Sequence, residues 1–341
     1  MLQNAVRQGT RCIVTRRFSA SQAGSTIEVF NRDLKRTQKE AVNKVQNVDD
    51  YRYLKKEIVS RLVDRLEDIS RAFPKVLNLG GPADLVAPAL AGSRSSVAEV
   101  VSTDMSQAAL DRAVRVMQDE QLLPASFKHS TLVVDEESLP FEENTFDAVL
   151  SPLCLHWVND IPGSLIQIER SLKPDGLFLG AMLGGDTLKE LRISLTLAQQ
   201  ERESGLAAYI SPMAGFRDAG NLLSRAAFSL PGVDVDTITV PYPDAFTLMQ
   251  HLWFMEESNS IKHRRGFISR DTLMSAAAIY QSMFGNPEAA EGEEVLATFQ
   301  VMYLIGWKFD ASQPHAKRRG TAQVSMQELA KGLGSKIGEV H

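Results

Sequence analysis

The sequence predicts an α/β protein in which helices flank a doubly wound, mostly parallel, Rossmann-like β-sheet. Short apolar runs alternate with amphipathic helical segments through residues 75–183. Turn residues separate these segments, as in the KPDG sequence at 173–176. The chain of 341 residues is 44% hydrophobic and 23% charged, which is typical of a globular protein. Strand–helix alternation of this kind builds a parallel sheet with right-handed crossovers.

Two helices are predicted before the first strand. Residues 30–47 are polar and basic, which indicates a helical arm with little apolar core of its own. Residues 51–69 place apolar side chains three or four positions apart, and these side chains form one stripe along an amphipathic helix. Pro74 closes this helix. The stripe consists of Tyr51, Leu54, Ile58, Leu62, Leu66 and Ile69.

The remaining elements follow from the same pattern of apolar residues. The first half of the chain has strands at 75–79, 99–104, 130–134, 144–155 and 177–183, with helices at 106–121 and 158–172. The second half is less regular, and we expect helical insertions there. Its predicted helices are 187–204, 221–228, 245–257 and 271–284, and its predicted strands are 233–243 and 297–309.

The N-terminal segment has the composition of a mitochondrial transit peptide. Residues 1–27 contain four arginines and several Ser and Thr, but no Lys and no acidic residue. The alternative is a merely basic tail. We predict removal of residues 1–18 on import, followed by the arm at 19–50, a methyltransferase-like domain at 51–312 and a tail at 313–341.

Composition also excludes several classes of protein. The formal net charge of −5, which becomes more negative once the basic presequence is removed, argues against general nucleic-acid binding. The longest apolar run, at 177–185, is about half of the roughly 18 residues that a membrane span needs. Cys154 has no partner apart from Cys12 of the presequence, so no disulfide is expected.

Polar side chains follow four of the predicted strands. In a doubly wound sheet, ligands bind at the carboxyl ends of the strands, near the switch point of strand order. We therefore expect these side chains to converge on one ligand. They are Gly80 and Gly81 after the first strand, Asp104 after the second, Asp135 and Glu136 after the third, and LHWVND (155–160) after the fourth.

Each of these groups also has a structural alternative. Asp104 follows Gly80 by 24 residues, close to the interval at which a carboxylate accepts from ribose hydroxyls, but it could belong to a helix N-cap region. Asp135 and Glu136 could accept from an adenine amino group or form an exposed acidic loop. His156 and Trp157 could border a substrate or pack in the core.

Several motifs resemble families of known function. SLPF (138–141) followed by NTFDAV (144–149), and then LKPDG (172–176), are similar to class I S-adenosylmethionine-dependent methyltransferases, which implies a seven-stranded sheet. Five further motifs resemble the mitochondrial complex I assembly factor 5 family, over about residues 29–330. These motifs are FNRDLKR (30–36), LHWVNDIPGSL (155–165), LGGDTLKELR (183–192), MEESN (255–259) and IGWKF (305–309).

This second resemblance implies a function and a location. Members of the family are regarded as methyltransferase-fold proteins that hydroxylate an arginine of the PSST-type iron–sulfur subunit of complex I early in assembly. The expected location is the mitochondrial matrix, including the matrix face of the inner membrane, to which attachment would have to be peripheral. A small assembly-factor adaptor is a further candidate partner.

The resemblance also assigns roles to the residues at the strand ends. The S-adenosylmethionine site would consist of Gly80, Gly81, Asp104, Asp135 and Glu136. His156 is the catalytic candidate, and Trp157 and Asp160 would bind the substrate arginine by stacking and by charge. No metal site is expected, because the histidines are scattered and there are no paired cysteines. The oxidant is unknown.

The opening loop departs from the methyltransferase pattern. An acid and three glycines are usual there, whereas this chain has Asn78, Gly80, Pro82 and Asp84. Proline cannot adopt a positive φ and lacks an N–H donor, so these changes would weaken cofactor binding. Alternatively, the loop has been rebuilt, with Asp84 as a helix N-cap.

Two other functions remain open from the sequence. The altered loop favours a catalytically inactive assembly chaperone of the same fold. The other open function is O- or N-methyl transfer, as in the related carboxyl methyltransferases of biotin synthesis. The basic cluster KHRRGFISR (262–270) is either a partner or lipid contact or a solvated face.

Overall fold

The structure is a computed structural model that describes residues 28–45, 47–286, 289 and 294–314. The predicted presequence and most of the predicted C-terminal tail lie outside these ranges. The helices are α1 (Arg32–Val42), α2 (Tyr53–Glu67), α3 (Ala83–Ala91), α4 (Gln107–Asp119), α5 (Ile161–Ser171), α6 (Lys189–Glu203), α7 (Phe216–Arg225), α8 (Ala245–Phe254) and α9 (Arg270–Phe284). The strands are β1 (Lys75–Leu79), β2 (Glu99–Asp104), β3 (Lys128–Val133), β4 (Phe146–Pro152), β5 (Leu172–Leu183), β6 (Ser229–Tyr242) and β7 (Val295–Trp307).

The described strands form one sheet in the order β3-β2-β1-β4-β5-β7-β6. Neighbours from β3 to β5 are parallel, and β7 runs antiparallel to both β5 and β6. The order reverses between β1 and β4, so a crevice opens beyond the carboxyl ends of these two strands. The predicted doubly wound, mostly parallel seven-stranded sheet is confirmed.

Helices cover both faces of the sheet. On one face, α2 contributes Leu54, Ile58, Leu62 and Leu66, all at most 2% exposed, to the larger apolar cluster. Full burial of such a side chain stabilises the fold by about 1.5–3 kcal/mol. The other face holds a second cluster to which α5 and α7 contribute. The predicted amphipathic stripe is therefore what fixes α2 on the sheet.

Among the predicted boundaries that differ from the structure are both ends of α7 and the start of β5. Helix α7 begins earlier than predicted because Asp218 accepts a hydrogen bond from the backbone N–H of Gly215, and it ends earlier because Ala227 has φ of 65°. Strand β5 runs through the predicted KPDG turn, where the backbone N–H of Lys308 donates to Gly176 O at 2.9 Å.

The residues that lead into α1 pair with the segment that follows α8. The backbone N–H of Asn31 donates to Ser260 O at 2.8 Å, and Phe30 pairs with Ile261. The prediction that this arm is helical is correct, but it is not merely a polar arm, because Lys35 and Lys39 are buried. Among the described helices, none is both long enough and apolar enough to cross a bilayer.

Candidate active site

A narrow cleft, with a cavity volume of about 40 Å³, lies at the carboxyl ends of β1, β2 and β4. The turn at 80–84, Asp104 after β2, Glu136 after β3 and the segment 152–154 with Trp157 after β4 form its walls. Helix α1 and residues 256–257 close the open side. The structure thus brings together all four strand ends that the sequence singled out, although not every side chain at these ends faces the cleft.

Gly80 holds the position in the loop where a glycine is required. Its φ is +65°, and an added Cβ would lie 2.6 Å from the Cβ of Cys154 and 2.7 Å from Oε1 of Glu136. Its N–H donates to Thr103 O at 2.8 Å. The loop has therefore kept glycine at the position whose backbone conformation and crowding exclude a side chain.

Pro82 and Asp84, which replace the later glycines of the methyltransferase pattern, both have structural roles: Pro82 precedes the first turn of α3, and Asp84 binds an arginine. Pro82 is the N-cap residue of α3, with φ of −65°. Asp84 does not cap the helix; it is buried and forms a two-pronged ion pair with Arg52, in which Nη2 lies 2.8 Å from Oδ1. Burial opposes ionisation of Asp84, but its hydrogen bonds and charge interaction with Arg52 lower its pKa.

Both oxygens of Asp104 have partners inside the protein. Oδ1 accepts from the backbone N–H of Ser106 at 2.8 Å, and Oδ2 accepts from Nζ of Lys39 on α1. Ser106, rather than Asp104, is the N-cap of α4. Asp104 is therefore a cleft residue that is held by its own loop through Ser106 and by α1 through Lys39.

The acidic stretch after β3 is neutralised by the same helix. Nη2 of Arg32 lies 2.8 Å from Oδ1 of Asp135 and also binds Oε2 of Glu136. The side chain of Glu136 is only 2% exposed, and that of Arg32 is 12% exposed. The interpretation of these acids as an exposed loop is wrong for Glu136, which is buried against α1, whereas Asp135 pairs with the same arginine but is still 31% exposed.

The cleft contains nearly balanced opposite charges. Its lining cations are Arg32, Lys35, Lys39, Arg52, Lys55 and Arg112, and its lining carboxylates are Asp84, Asp104, Glu136, Glu256 and Glu257. Burial, together with the charges of Glu136 and Glu256, raises the pKa of Asp104 to about 6 against the pull of Lys39. Burial lowers the pKa of Lys35 to about 7. The charges in the cleft thus depend on one another and on α1 being in place.

With α1 in this position, the residues do not fit S-adenosylmethionine. Ribose hydroxyls would have to share Asp104 with Nζ of Lys39, and the cleft volume of about 40 Å³ has room for only about three water molecules, far less than the cofactor needs. Asp135 and Glu136 are likewise held by Arg32. No step of a reaction is therefore assigned to this cofactor.

The segment after β4 forms a short 3-10 helix, Leu155–Trp157, that contacts Glu257. Nε2 of His156 and Nε1 of Trp157 each lie 3.0 Å from Oε2 of Glu257. Lys35 Nζ sits 3.3 Å from the centre of the Trp157 ring. Trp157 lines the cleft, whereas His156 lies buried behind Glu257 and does not line it. The catalytic role of His156 stays a prediction.

Asp160 lies at the start of α5, outside the cleft lining. Its Oδ1 accepts from the backbone N–H of Gly163 at 2.9 Å, which is the N-cap interaction of that helix. This contact gives Asp160 a structural task. Its predicted role in pairing with a substrate guanidinium stays untested.

Sequence reasoning missed the residues that α1 and the segment after α8 bring to the cleft. Arg32, Lys35 and Lys39 are three and four positions apart, which places them on one face of a helix. This spacing was the available signal. The sequence gives no signal for Glu256 and Glu257 beyond their place in the MEESN motif.

The described residues include one free thiol, Cys154. None of their His, Cys, Asp and Glu side chains form a group of three or more that could hold a metal ion. Cys154 is a free, buried thiol, as expected, and burial together with nearby Glu136 raises its pKa to about 12. Among described neighbours, its Sγ contacts Ser151 Oγ at 3.0 Å.

Comparison with known proteins places this site in a family. Residues 77–180 match the profile described as "Methyltransferase domain". The chain is 44% identical over 316 residues to "Arginine-hydroxylase NDUFAF5, mitochondrial" of Danio rerio, covering 93% of each protein. The chain belongs to this family. The Homo sapiens member is 44% identical over 311 residues, covering 91% of this chain and 86% of that protein.

Family membership agrees with the fold and with the presequence. The crystal structure of a methyltransferase-like protein from Bacillus halodurans aligns with 74% of this chain and 99% of that chain, with a TM-score of 0.50. The two sequences are 14% identical, so this similarity shows the fold alone. The class I methyltransferase fold that the motifs implied is confirmed. NDUFAF5 relatives are named mitochondrial, so the predicted mitochondrial location is also confirmed.

Proposed function

We propose that this chain is a protein-arginine hydroxylase of the mitochondrial matrix that acts on the PSST-type subunit of complex I during assembly. The observation that carries the proposal is 44% identity, over more than nine-tenths of the chain, to proteins named arginine hydroxylase. The site supports it, because Trp157 and the carboxylate of Glu257 lie together at the cleft. These are the side-chain types that bind a guanidinium.

The proposed reaction converts one carbon–hydrogen bond of the arginine side chain into a carbon–hydroxyl group, a two-electron oxidation for which dioxygen and an external two-electron donor would supply the oxygen atom and release water. The protein's own residues would bind and orient the arginine and hold it away from bulk water. Burial of Glu257 beside Trp157 strengthens such an interaction, because the effective dielectric constant is lower there than in water. The oxidant is not assigned to any described residue.

Mass spectrometry of the PSST-type subunit tests this proposal. Subunits from cells that lack the protein should lose the mass of one oxygen on a specific arginine, and re-expression should restore it. Loss of a methyl group's mass instead would favour methyl transfer. If neither mark changes while complex I still fails to assemble, the hydroxylase proposal is wrong.

A second candidate function is a chaperone that holds its client without catalysis. The observation that favours it is the occupation of Asp104, Asp135 and Glu136 by cations of α1. For this family, S-adenosylmethionine remains a proposed ligand, and its binding would require α1 to release Asp104.

Replacement of Lys39 by methionine distinguishes a cofactor-binding enzyme from a chaperone without catalysis. If α1 masks a working cofactor site, Lys39→Met frees an oxygen of Asp104 and should raise the affinity for S-adenosylmethionine at least about tenfold, since about 1.4 kcal/mol corresponds to a factor of ten. Titration calorimetry measures this change. Lys56→Met on the exposed side of α2 is the matched control and should have no effect.

The calorimetry has an outcome that contradicts cofactor binding. If neither the wild-type chain nor Lys39→Met binds S-adenosylmethionine while both remain folded, the cofactor proposal fails. That result would favour the chaperone, unless the oxygen mark on the arginine is nevertheless found.

A further inference from the structure

A second, larger cavity adjoins the cleft and shares a wall with it. Its cavity volume is about 350 Å³, and Trp157 and Glu257 line both spaces. Its other walls come from α6, from α8 and from the segments 209–213 and 258–268. Residues 264–267 are exposed, so they place the mouth of the cavity at the protein surface.

The walls of this cavity are mostly apolar. They suit the methylene stem of a long side chain, which buries apolar surface on entering. The Tyr209 hydroxyl is buried and has no partner among the described residues. Arg264 and Arg265 also line the cavity, but they are exposed at its mouth, where Arg265 pairs with Glu203, and so lie apart from the buried Glu257. The main apolar residues are Leu191, Leu195, Ile210, Met213, Met249 and Leu252.

The carboxylate of Glu257 stands where the two spaces meet, and one of its oxygens is unused. Oε2 faces Nε2 of His156 and Nε1 of Trp157, whereas no described residue donates a hydrogen bond to Oε1. Burial alone would raise the pKa of Glu257, but His156, Lys35 and Lys55 outweigh it and lower the pKa to about 2. Glu257 is therefore ionised at neutral pH.

We propose that this cavity receives the side chain of the substrate arginine, with its guanidinium bound to Oε1 of Glu257 beside the Trp157 ring. This inference rests on the proposed function and names the residues that recognise its substrate. It assigns to Glu257 the pairing role that the sequence had suggested for Asp160. An apolar channel ending at an ionised carboxylate and an indole matches a long aliphatic stem that carries a planar cation.

Lys35 lies beside the same position and would repel an incoming cation. Its amino group donates to Glu256 O at 2.6 Å and lies over the Trp157 ring. Burial lowers the pKa of Lys35 to about 7, so the amino group can give up its proton when the guanidinium enters. The charged groups that face Lys35 are Glu257, Lys39, Glu256 and Lys55.

Binding of a blocked tripeptide, acetyl-Gly-Arg-Gly-amide, tests the proposal without requiring turnover. The chain has 3 tryptophans, so the indole N–H signals of the ¹⁵N-labelled protein can be resolved by NMR and assigned with Trp157→Phe. We expect saturable shifts of the Trp157 signal. The neutral isostere acetyl-Gly-citrulline-Gly-amide should bind at least about tenfold more weakly.

Glu257→Gln is the decisive variant, because glutamine can keep one oxygen near His156 and Trp157 while its amide nitrogen replaces the free oxygen. It should weaken arginine-tripeptide binding at least about tenfold, whereas Glu143→Gln at an exposed site should not. If Glu257→Gln fails to fold, Met249→Trp, which fills the cavity, should abolish the Trp157 shifts.

Affinity should fall as the pH drops below about 7, where Lys35 regains its proton, and Lys35→Met should remove that dependence. Equal binding of the citrulline peptide, or undiminished binding by folded Glu257→Gln, would overturn the inference. These outcomes are separate from the proposed function. A hydroxylase that binds its arginine elsewhere would still leave the oxygen mark on the subunit.

Discussion

Replacement of Arg52 by methionine is expected to lower the free energy of unfolding by about 3–5 kcal/mol. Arg52 and Asp84 are both almost fully buried and form a two-pronged ion pair. Removing the arginine leaves the Asp84 carboxylate in the interior, with Arg112 as its remaining neighbour at 3.6 Å. Most of the expected loss is the cost of this poorly compensated charge rather than the value of the contact itself.

Urea unfolding measures this difference, and a surface pair provides the control. Arg94 is 85% exposed and pairs with Glu67, so Arg94→Met should change stability by less than about 1 kcal/mol. The double variant Arg52→Met with Asp84→Leu should recover a substantial part of the loss, since it removes both charges. If Arg52→Met is as stable as the wild type, Asp84 is not held by this pair.

Gly80→Ala is expected to destabilise the chain by about 2–6 kcal/mol. The backbone at this position has a positive φ, which a non-glycine residue adopts at a cost of about 1–3 kcal/mol. The new methyl group would also overlap Cys154 and Glu136, and such overpacking adds about 1–3 kcal/mol. The substitution should therefore damage both the fold and the cleft.

Gly92→Ala is the matched control for this change. Gly92 follows α3 with φ of −86°, and an added Cβ would meet nothing nearer than 3.6 Å. Its effect should be small and of either sign, because alanine reduces the freedom of the unfolded chain. Thermal unfolding of the two variants compares them, and an equally stable Gly80→Ala would show that the loop relaxes.

The sheet and the strand ends could be predicted because their signals are local. The strands predicted at 75–79 and 99–104 from their apolar residues have the same bounds as β1 and β2. The topology rule then places Asp104 and the residues after β3 at one edge. No knowledge of distant contacts was needed for these predictions.

The partners of those acids could not be predicted, because they depend on where a distant helix docks. Lys39 and Asp104 are separated by 65 positions, and Arg32 and Asp135 by 103. The sequence of α1 alone predicts a solvated basic helix, because the burial of its lysines depends on the elements that pack against it. The same reason explains why Glu257, remote in sequence from Trp157, was not assigned a role.

The docking of α1 has a consequence for the order of folding. Lys35 binds a backbone oxygen 221 positions further along the chain, at Glu256. Closing a loop of this length costs entropy before any contact is gained, so such contacts form late. We therefore expect α1 to dock after the local strand–helix units have formed.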